Sequence, residues 1–517
     1  MEHLVANALQ SIHGKKLMKI SVSQYDPEKP MKNNMKDSTK QTGSGIIRKM
    51  SMCERMFFMS PACTVMMAAR ITGPVDTTRL RNALDAITSI HPLLRAKIVF
   101  NKDHEAFFSS DDVPRITMEI ISRISDQQWT DEIKREARIP FKLEKGLLIK
   151  SILLHSSGVS DLLVFCNHSI CDGVALAIFI RDLLELYQNP DQRTDVIHPP
   201  DAMTILKPNF SIQTLLGQII ASYANWKWRK NPYYFGSEEY STLYSSYWSD
   251  KNPGFVLLEF DQTESERLKT LCRDHEVSIG SALSVASLRA YEETCGDFSK
   301  TKQKIMMPFD LRRREQIKDV FCLCVGSLHF PFRYSPDKTF WENAASFHKE
   351  THSRLSSKKL PGIHIPPFDL SLMDAMASYS AFIHRVSQQH TLNENLRKFR
   401  KDTDNIACSM TKNFENSIPC LVPTNLGNIE FSESYGDIKL EQLVFLPSSS
   451  ELNPLILGGV GARGRIVFSL QFVDPPSGTT ASPELKMIQI RNRALELLGF
   501  PEKSHQKPVK EEWQPSM

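Results

Sequence analysis

The sequence predicts an α/β protein of two lobes, each a mixed sheet packed with helices. Three observations carry that expectation. The chain has 517 residues, 41% hydrophobic and 24% charged, which is ordinary globular usage and enough apolar material for more than one compact unit. Segments of helical period alternate with short apolar runs that read as strands. The Pro- and Asp-rich stretch "QNPDQRTDVIHPPDAMTILKP" (188–208) lacks periodicity and falls between two such series, as a linker would.

Residues 1–44 are rich in Lys, Met, Asn and Ser without periodicity and are predicted to be a disordered tail. They have an acidic residue at position 2 and no long apolar run, so they do not read as a secretory signal. The N-terminal lobe is expected over 45–187. "VDTTRLRNALDAITSIHPLLRAKIVF" gives its first clear helix, capped by Asp76 or Thr77, with Leu80, Leu84, Ile87 and Ile90 on one face and an end at His91 and Pro92. "LLRAKIVF" and "AFFSS" follow as a strand pair, and "DQQWTDEIKREARIPF" as a helix. "LIKSILLHSSGVSDLLVFCNH" reads as a hairpin turning at Ser-Ser-Gly. A strong helix is expected from about 173 to 187.

Residues 188–253 are expected to link the lobes and to include a helix. The second lobe runs over 254–500. It opens with a strand, a capped helix and a further helix, then "KIMMPFDLRRR" as a strand entering a charged turn. "CLCVGSLHFPF" is a further strand, and residues 337–400 are mostly helical, interrupted by the Pro- and His-containing loop "KKLPGIHIPPFD" (358–369). "PCLVPTNLGNIEF", "IKLEQLVFLPS" and "RIVFSLQFVDP" close the lobe as strands, followed by a terminal helix and a polar tail, 501–517.

Several functions are disfavoured. The net charge of +4 is too small over this length to imply nucleic acid, and clusters such as Arg312, Arg313 and Arg314 read by default as solvated or ion-paired surface. Ten cysteines are scattered without a C-x-x-C pair, which suits reduced thiols in the cytoplasm and no structural zinc. Cys322 and Cys324 are expected in the core. Residues 459–464 form a formal G-x-G-x-x-G, but a strand follows instead of a helix, so the segment reads as a hairpin turn. No nucleophile elbow, H-E-x-x-H or P-loop occurs. No metal or bound cofactor is expected. No apolar run is long enough to span a bilayer. Residues 212–230, with two tryptophans and a basic end, are expected either to pack on the body as an amphipathic helix or to touch a membrane surface.

The segment that carries chemistry is "LLVFCNHSICDGVALAIF". His168, Asp172 and Gly173 form H-x-x-x-D-G where a buried strand ends and a helix begins. Chance alone supplies about 0.04 such matches in a chain of this composition. An imidazole titrating near ~6.5 can accept and return a proton at neutral pH. Asp172 is placed to cap the helix, and Gly173 permits close approach of a backbone or substrate. From these residues alone the motif reads equally as a core-edge histidine beside an N-cap. His91 and His329 are expected in core or surface roles.

"HSICDG" resembles the active-site motif of the CoA-dependent acyltransferase superfamily. This group includes chloramphenicol acetyltransferase, plant BAHD enzymes, nonribosomal-peptide condensation domains, polyketide-associated acyltransferases and fungal alcohol acetyltransferases. "LRNALDAITSIHPLLRAKI", "IPFKLEKGLLIKSILL", "MPFDLRRR" and "VPTNLGNIEF" resemble further family segments in the expected order, so that the resemblance covers about residues 45–475. Asn167 replaces the first of two histidines common in the family, and no D-F-G-W-G occurs, which argues against a plant BAHD enzyme.

The resemblance implies two chloramphenicol-acetyltransferase-like lobes with an active-site tunnel between them. His168 would be the general base, with no covalent intermediate. Asp172 and Arg312 would form a structural salt bridge supporting the motif with Gly173. Thr424 or Asn425 is the candidate oxyanion donor. The expected donor is acyl-CoA or an acyl carrier protein, the acceptor a small-molecule or lipid alcohol, and the enzyme a cytoplasmic monomer. The alternatives are a stand-alone condensation domain forming an amide, or a binding protein on the same fold.

Overall fold

The computed structural model describes residues 45–191, 195–200, 212–296, 304–315, 317, 320–356, 367–415, 418–474 and 482–501. The expectations for residues 1–44 and for the polar tail after 501 lie outside these residues, as does most of the loop expected at 358–369. From Ile47 onward the chain forms one compact unit.

A short strand, β1 (Ile46–Lys49), leads into helix α1 (Met52–Phe58), which is closed at its start by a Ser51–Glu54 capping box. β2 (Thr64–Thr72) follows. Asp76 caps α2 (Thr77–Ile90) by accepting the Thr78 and Arg79 N–H groups. β3 (Lys97–Phe100) and β4 (Ala106–Ser109) pair antiparallel. β5 (Met118–Ser122), α3 (Gln128–Glu136), β6 (Ile149–His155), β7 (Val159–Asn167) and α4 (Gly173–Gln188) complete the N-terminal half. β6 and β7 form the expected hairpin.

After the linker come α5 (Ile212–Trp228), α6 (Ser237–Trp248), β8 (Asn252–Phe260), α7 (Gln262–Asp274) and α8 (Ile279–Cys295). β9 (Lys304–Asp310) enters a short helix, α9 (Leu311–Glu315), where a charged turn was expected. β10 (Val325–Pro331) and α10 (Phe340–Leu355) follow. α11 (Leu370–Asp374) continues through a π-helical turn (Ala375–Ser380), and α12 (Glu394–Lys401) and α13 (Ile406–Glu415) come next. β11 (Leu421–Ile429), β12 (Lys439–Leu446), β13 (Leu455–Ala462), β14 (Arg465–Asp474) and α14 (Pro483–Leu497) end the described chain.

The strands build a five-stranded sheet in the order β12-β2-β7-β6-β5 and a six-stranded sheet in the order β10-β9-β11-β13-β14-β8. Both sheets are mixed, β5/β6 and β9/β11/β13 being the parallel contacts. The expected boundary at 254 does not separate them. β12 crosses over and pairs antiparallel with β2, from Lys439 opposite Thr72 to Leu446 opposite Met66. The helices after α10 do the same, placing Leu372, Tyr379, Phe382 and Phe399 in the apolar core of the N-terminal half. The buried ion pair between Arg55 on α1 and Asp374 on α11 fastens that exchange. The second core lies between the six-stranded sheet and α8, α10 and α14.

The glycine run at 459–464 also differs from its expected form. Gly459 and Gly461 lie inside β13, and the turn is confined to Arg463 and Gly464, both at positive φ. Gly459 is required because a Cβ there would stand 2.3 Å from the Phe468 ring on β14. Cys322 and Cys324 are buried, as expected, but precede β10 instead of belonging to it.

Candidate active site

β7 is buried along almost its whole length, as a strand covered on both faces must be. It ends at Asn167, and the turn that follows is tied to the body on both sides. The Asn167 N–H donates to the Leu148 carbonyl (2.8 Å), and the His168 N–H to the Cys63 carbonyl (2.9 Å). Asn167 Oδ1 accepts the Ser169 N–H at 3.0 Å. From 160 through 173, His168 is the single residue that is not buried. The fold therefore leaves this residue partly exposed while sealing its neighbours.

The imidazole has a defined tautomer. Nδ1 lies 2.7 Å from the Cys171 carbonyl oxygen. A carbonyl can only accept, so Nδ1 carries the hydrogen and Nε2 of the neutral ring keeps its lone pair. Phe57 stacks on the ring at 4.3 Å between centroids, with 27° between planes. Burial holds the His168 pKa below its ordinary value, while the Cys171 carbonyl and the Asp172 charge act in the opposite sense. At neutral pH the ring is a free base.

Asp172 does not reach that ring nitrogen. One oxygen caps α4 by accepting the Ala175 N–H at 2.9 Å. The other accepts from Arg312 Nη1 at 2.9 Å and from the Cys324 N–H at 2.8 Å. Both oxygens are thus occupied, and no Ser-His-Asp-like relay is assembled. Arg312 is 3% exposed. It also donates to Asp310 Oδ1 (3.0 Å), to the Val320 carbonyl (3.1 Å) and to the Cys322 carbonyl. Burial opposes its charge, but Asp172 beside it leaves the guanidinium pKa raised. The first residue of the Arg312–Arg314 cluster is therefore a buried strut between the halves of the molecule.

Gly173 opens α4 against β11 and β12. A Cβ at this position would stand 2.7 Å from Leu426 Cδ2 and 2.7 Å from the Phe445 ring. Gly173→Ala is expected to force those side chains aside and destabilise the fold by about 1–3 kcal/mol. Thermal denaturation of the variant checks this.

Thr424 and Asn425 lie on β11 in register with Gly458 and Gly459 of β13. Thr424 is partly exposed and lies two residues before Leu426, the residue that meets Gly173, with a bulge between Asn425 and Asn428 interrupting the strand alternation. The Asn425 Nδ2 approaches Gly280 on α8, and its Oδ1 accepts the Gly427 N–H at 3.0 Å within the bulge. Of the two oxyanion candidates, Asn425 is the one turned toward α8.

His91 is fully buried, with Nε2 3.1 Å from Asp182 on α4, and His329 is exposed on β10. The sequence reading did not find Phe57, nor the backbone partners at Cys171, Cys322 and Cys324. For the last two, the lone C-x-C just after "DLRRR" was the available signal.

Residues 44–202 match the family model of the condensation domain. Among curated proteins, phosphinothricin tripeptide synthetase PhsC of Streptomyces viridochromogenes is 23% identical over 327 residues, 58% of this chain and 28% of that protein. The chain spans between 2% and 28% of the length of the first curated relatives it matches. Among solved structures, trichothecene 15-O-acetyltransferase from Fusarium sporotrichioides aligns with a TM-score of 0.55 at 12% identity, over 87% of this chain and 95% of that one. The epimerization domain from the third module of tyrocidine synthetase B aligns with a TM-score of 0.54 at 13% identity, over 88% and 96%. These likenesses establish the two-lobed fold. The condensation-domain match lies in the N-terminal half, and the solved structures share the fold of the chain as a whole.

Proposed function

We propose that the protein is an O-acyltransferase, moving an acyl group from a thioester donor to a hydroxyl acceptor with His168 as general base. The observation that carries this reading is the free Nε2 of His168 on a partly exposed residue, its tautomer fixed by the Nδ1 bond to the Cys171 carbonyl. The acceptor hydroxyl gives its proton to Nε2 as its oxygen attacks the thioester carbon. The resulting tetrahedral oxyanion collapses, the C–S bond breaks, and the imidazolium returns the proton to the leaving thiolate. No acyl-enzyme forms and no cofactor is consumed. Thr424 is the proposed oxyanion donor, being partly exposed on β11 two residues from Leu426, which meets Gly173, while Asn425 turns toward α8. Asp172, Gly173 and Arg312 hold the turn that aims the ring.

The resemblance of "MPFDLRRR" to the D-L-R-x-R segment of polyketide-associated and alcohol acyltransferases favours a hydroxyl acceptor. The condensation-domain match over 44–202 favours a carrier-bound donor, and with it the second reading, amide formation on an amine. Following thiol release from acetyl-CoA and from carrier-bound acyl groups, with alcohols and amines offered in turn, separates these. Ester formation supports the proposal. Product from amines alone overturns it in favour of condensation, and binding without release overturns it in favour of a non-catalytic protein.

The pH dependence is set by the same ring. Because burial lowers the His168 pKa, the base form persists to lower pH than in a free imidazole. kcat/KM is expected to be flat through neutrality and to fall only as pH drops through a midpoint below 6.5. An acid limb centred above neutrality contradicts this assignment.

A further inference from the structure

Helix α5 is apolar on two opposite sides. At about 100° per residue, Ala221, Ala224 and Trp228 fall on one side, and all three are buried. Trp228 is fixed there, its indole N–H donating to Ser371 Oγ at 2.8 Å. Ile219, Tyr223 and Trp226 fall on the other side, and they are 58%, 56% and 56% exposed. A helix lying on a soluble body normally turns polar residues outward. Single exposed hydrophobics are ordinary, but these are clustered. Four of the nine large exposed hydrophobics among the described residues lie between 219 and 234, the fourth being Tyr234.

The charge around this stripe has one sign. No acidic residue occurs from 212 to 236, whereas Lys227, Arg229 and Lys230 do. Lys230 Nζ stands 3.5 Å over the Trp226 ring, and Tyr223 and Trp226 lie 6.0 Å apart. The chain leaves α5 through Asn231 and Tyr233, both bonded to Asp402 just beyond α12. Asp402 directly follows α12, on which Arg397 and Lys401 are exposed. Two acids contact this segment. Asp369 faces Arg229 at 3.5 Å and accepts from Ser371, while Asp402 is held by Asn231 and Tyr233.

We propose that this face of α5 docks on an anionic lipid surface. Ile219, Tyr223 and Trp226 enter the boundary between headgroups and acyl chains. Lys227 and Lys230 meet the lipid phosphates. Tyrosine and tryptophan suit such a boundary because each has an apolar body and a polar edge, and the cations supply attraction to the negative leaflet. The proposal goes beyond the acyl-transfer reading and does not depend on it, because binding to vesicles needs no turnover.

Flotation of the purified full chain with phosphatidylcholine vesicles, and with vesicles carrying roughly 30% phosphatidylserine, tests it. The chain is expected to float with the anionic vesicles and to stay behind with the neutral ones. Ile219→Ser/Tyr223→Ser/Trp226→Ser leaves the buried side of α5 untouched and is expected to lower the bound fraction at least about tenfold. Lys227→Glu/Lys230→Glu is expected to do the same without altering the apolar stripe, and serves as the test if the triple variant does not fold. Wild-type protein that ignores anionic vesicles, or folded variants that float equally well, overturn the proposal. So does a solution dimer that the triple variant renders monomeric, since the stripe would then be a self-interface.

Discussion

Arg312→Ala is expected to destabilise the protein by about 3–5 kcal/mol, a large share of the ~5–15 kcal/mol that holds a typical folded protein together. The reason is the Asp172 carboxylate. It is buried at the start of α4 and meets Arg312 Nη1 at 2.9 Å and the Cys324 N–H at 2.8 Å. Without the guanidinium it remains in place with a charge and only neutral donors. The carbonyls of Val320 and Cys322 lose their partner at the same time. Asp172→Asn is expected to cost less, because Asp310 still faces Arg312 at 3.0 Å and the amide oxygen can keep the Ala175 cap. Urea denaturation and soluble yield check both variants. An Asp172→Asn protein as stable as wild type, with a displaced pH–rate profile, would show that the carboxylate acts on His168 and is not a strut.

Much of this site was legible in the sequence because its signals are local. A buried strand, a polar turn with His168 and Asp172, a glycine and an apolar helix follow one another within one stretch, and their order fixes which residue caps and which points outward. The α2 helix was equally legible from its apolar spacing and the Asp76 cap. What failed to show was either non-local or written in the backbone. The strand reading at 439–446 was correct, but nothing in its alternation says that it pairs with β2 in the other half. β2 itself, "TVMMAARIT", was missed because burial along nearly its whole length leaves no polar-apolar alternation to read. β13 hid behind its glycines, which face neighbouring side chains and not a turn, Gly458 meeting Pro447, Gly459 the Phe468 ring and Gly461 Asn428. Phe57 sits far from His168 in the chain, and the Cys171 carbonyl and Cys324 N–H carry no side-chain signature at all.

His168→Ala is expected to slow acyl transfer by about 10²–10⁴-fold, the range of a positioned general base, while leaving the fold intact. Two features argue for that separation. The ring makes one hydrogen bond, to the Cys171 carbonyl, and the turn is otherwise held by the backbone bonds to Leu148 and Cys63 and by Asn167. Removing the ring also frees Phe57 from its stack, which costs little beside the remaining core. Residual activity should reflect the gain from holding donor and acceptor in line, which the variant keeps. The most direct test is the rate of thiol release from a saturating acyl thioester, measured on wild type and His168→Ala of matched melting temperature, with an accepted alcohol present. The account predicts a collapse of kcat by at least about 10²-fold with little change in KM. Turnover by the folded variant at the wild-type rate would contradict it.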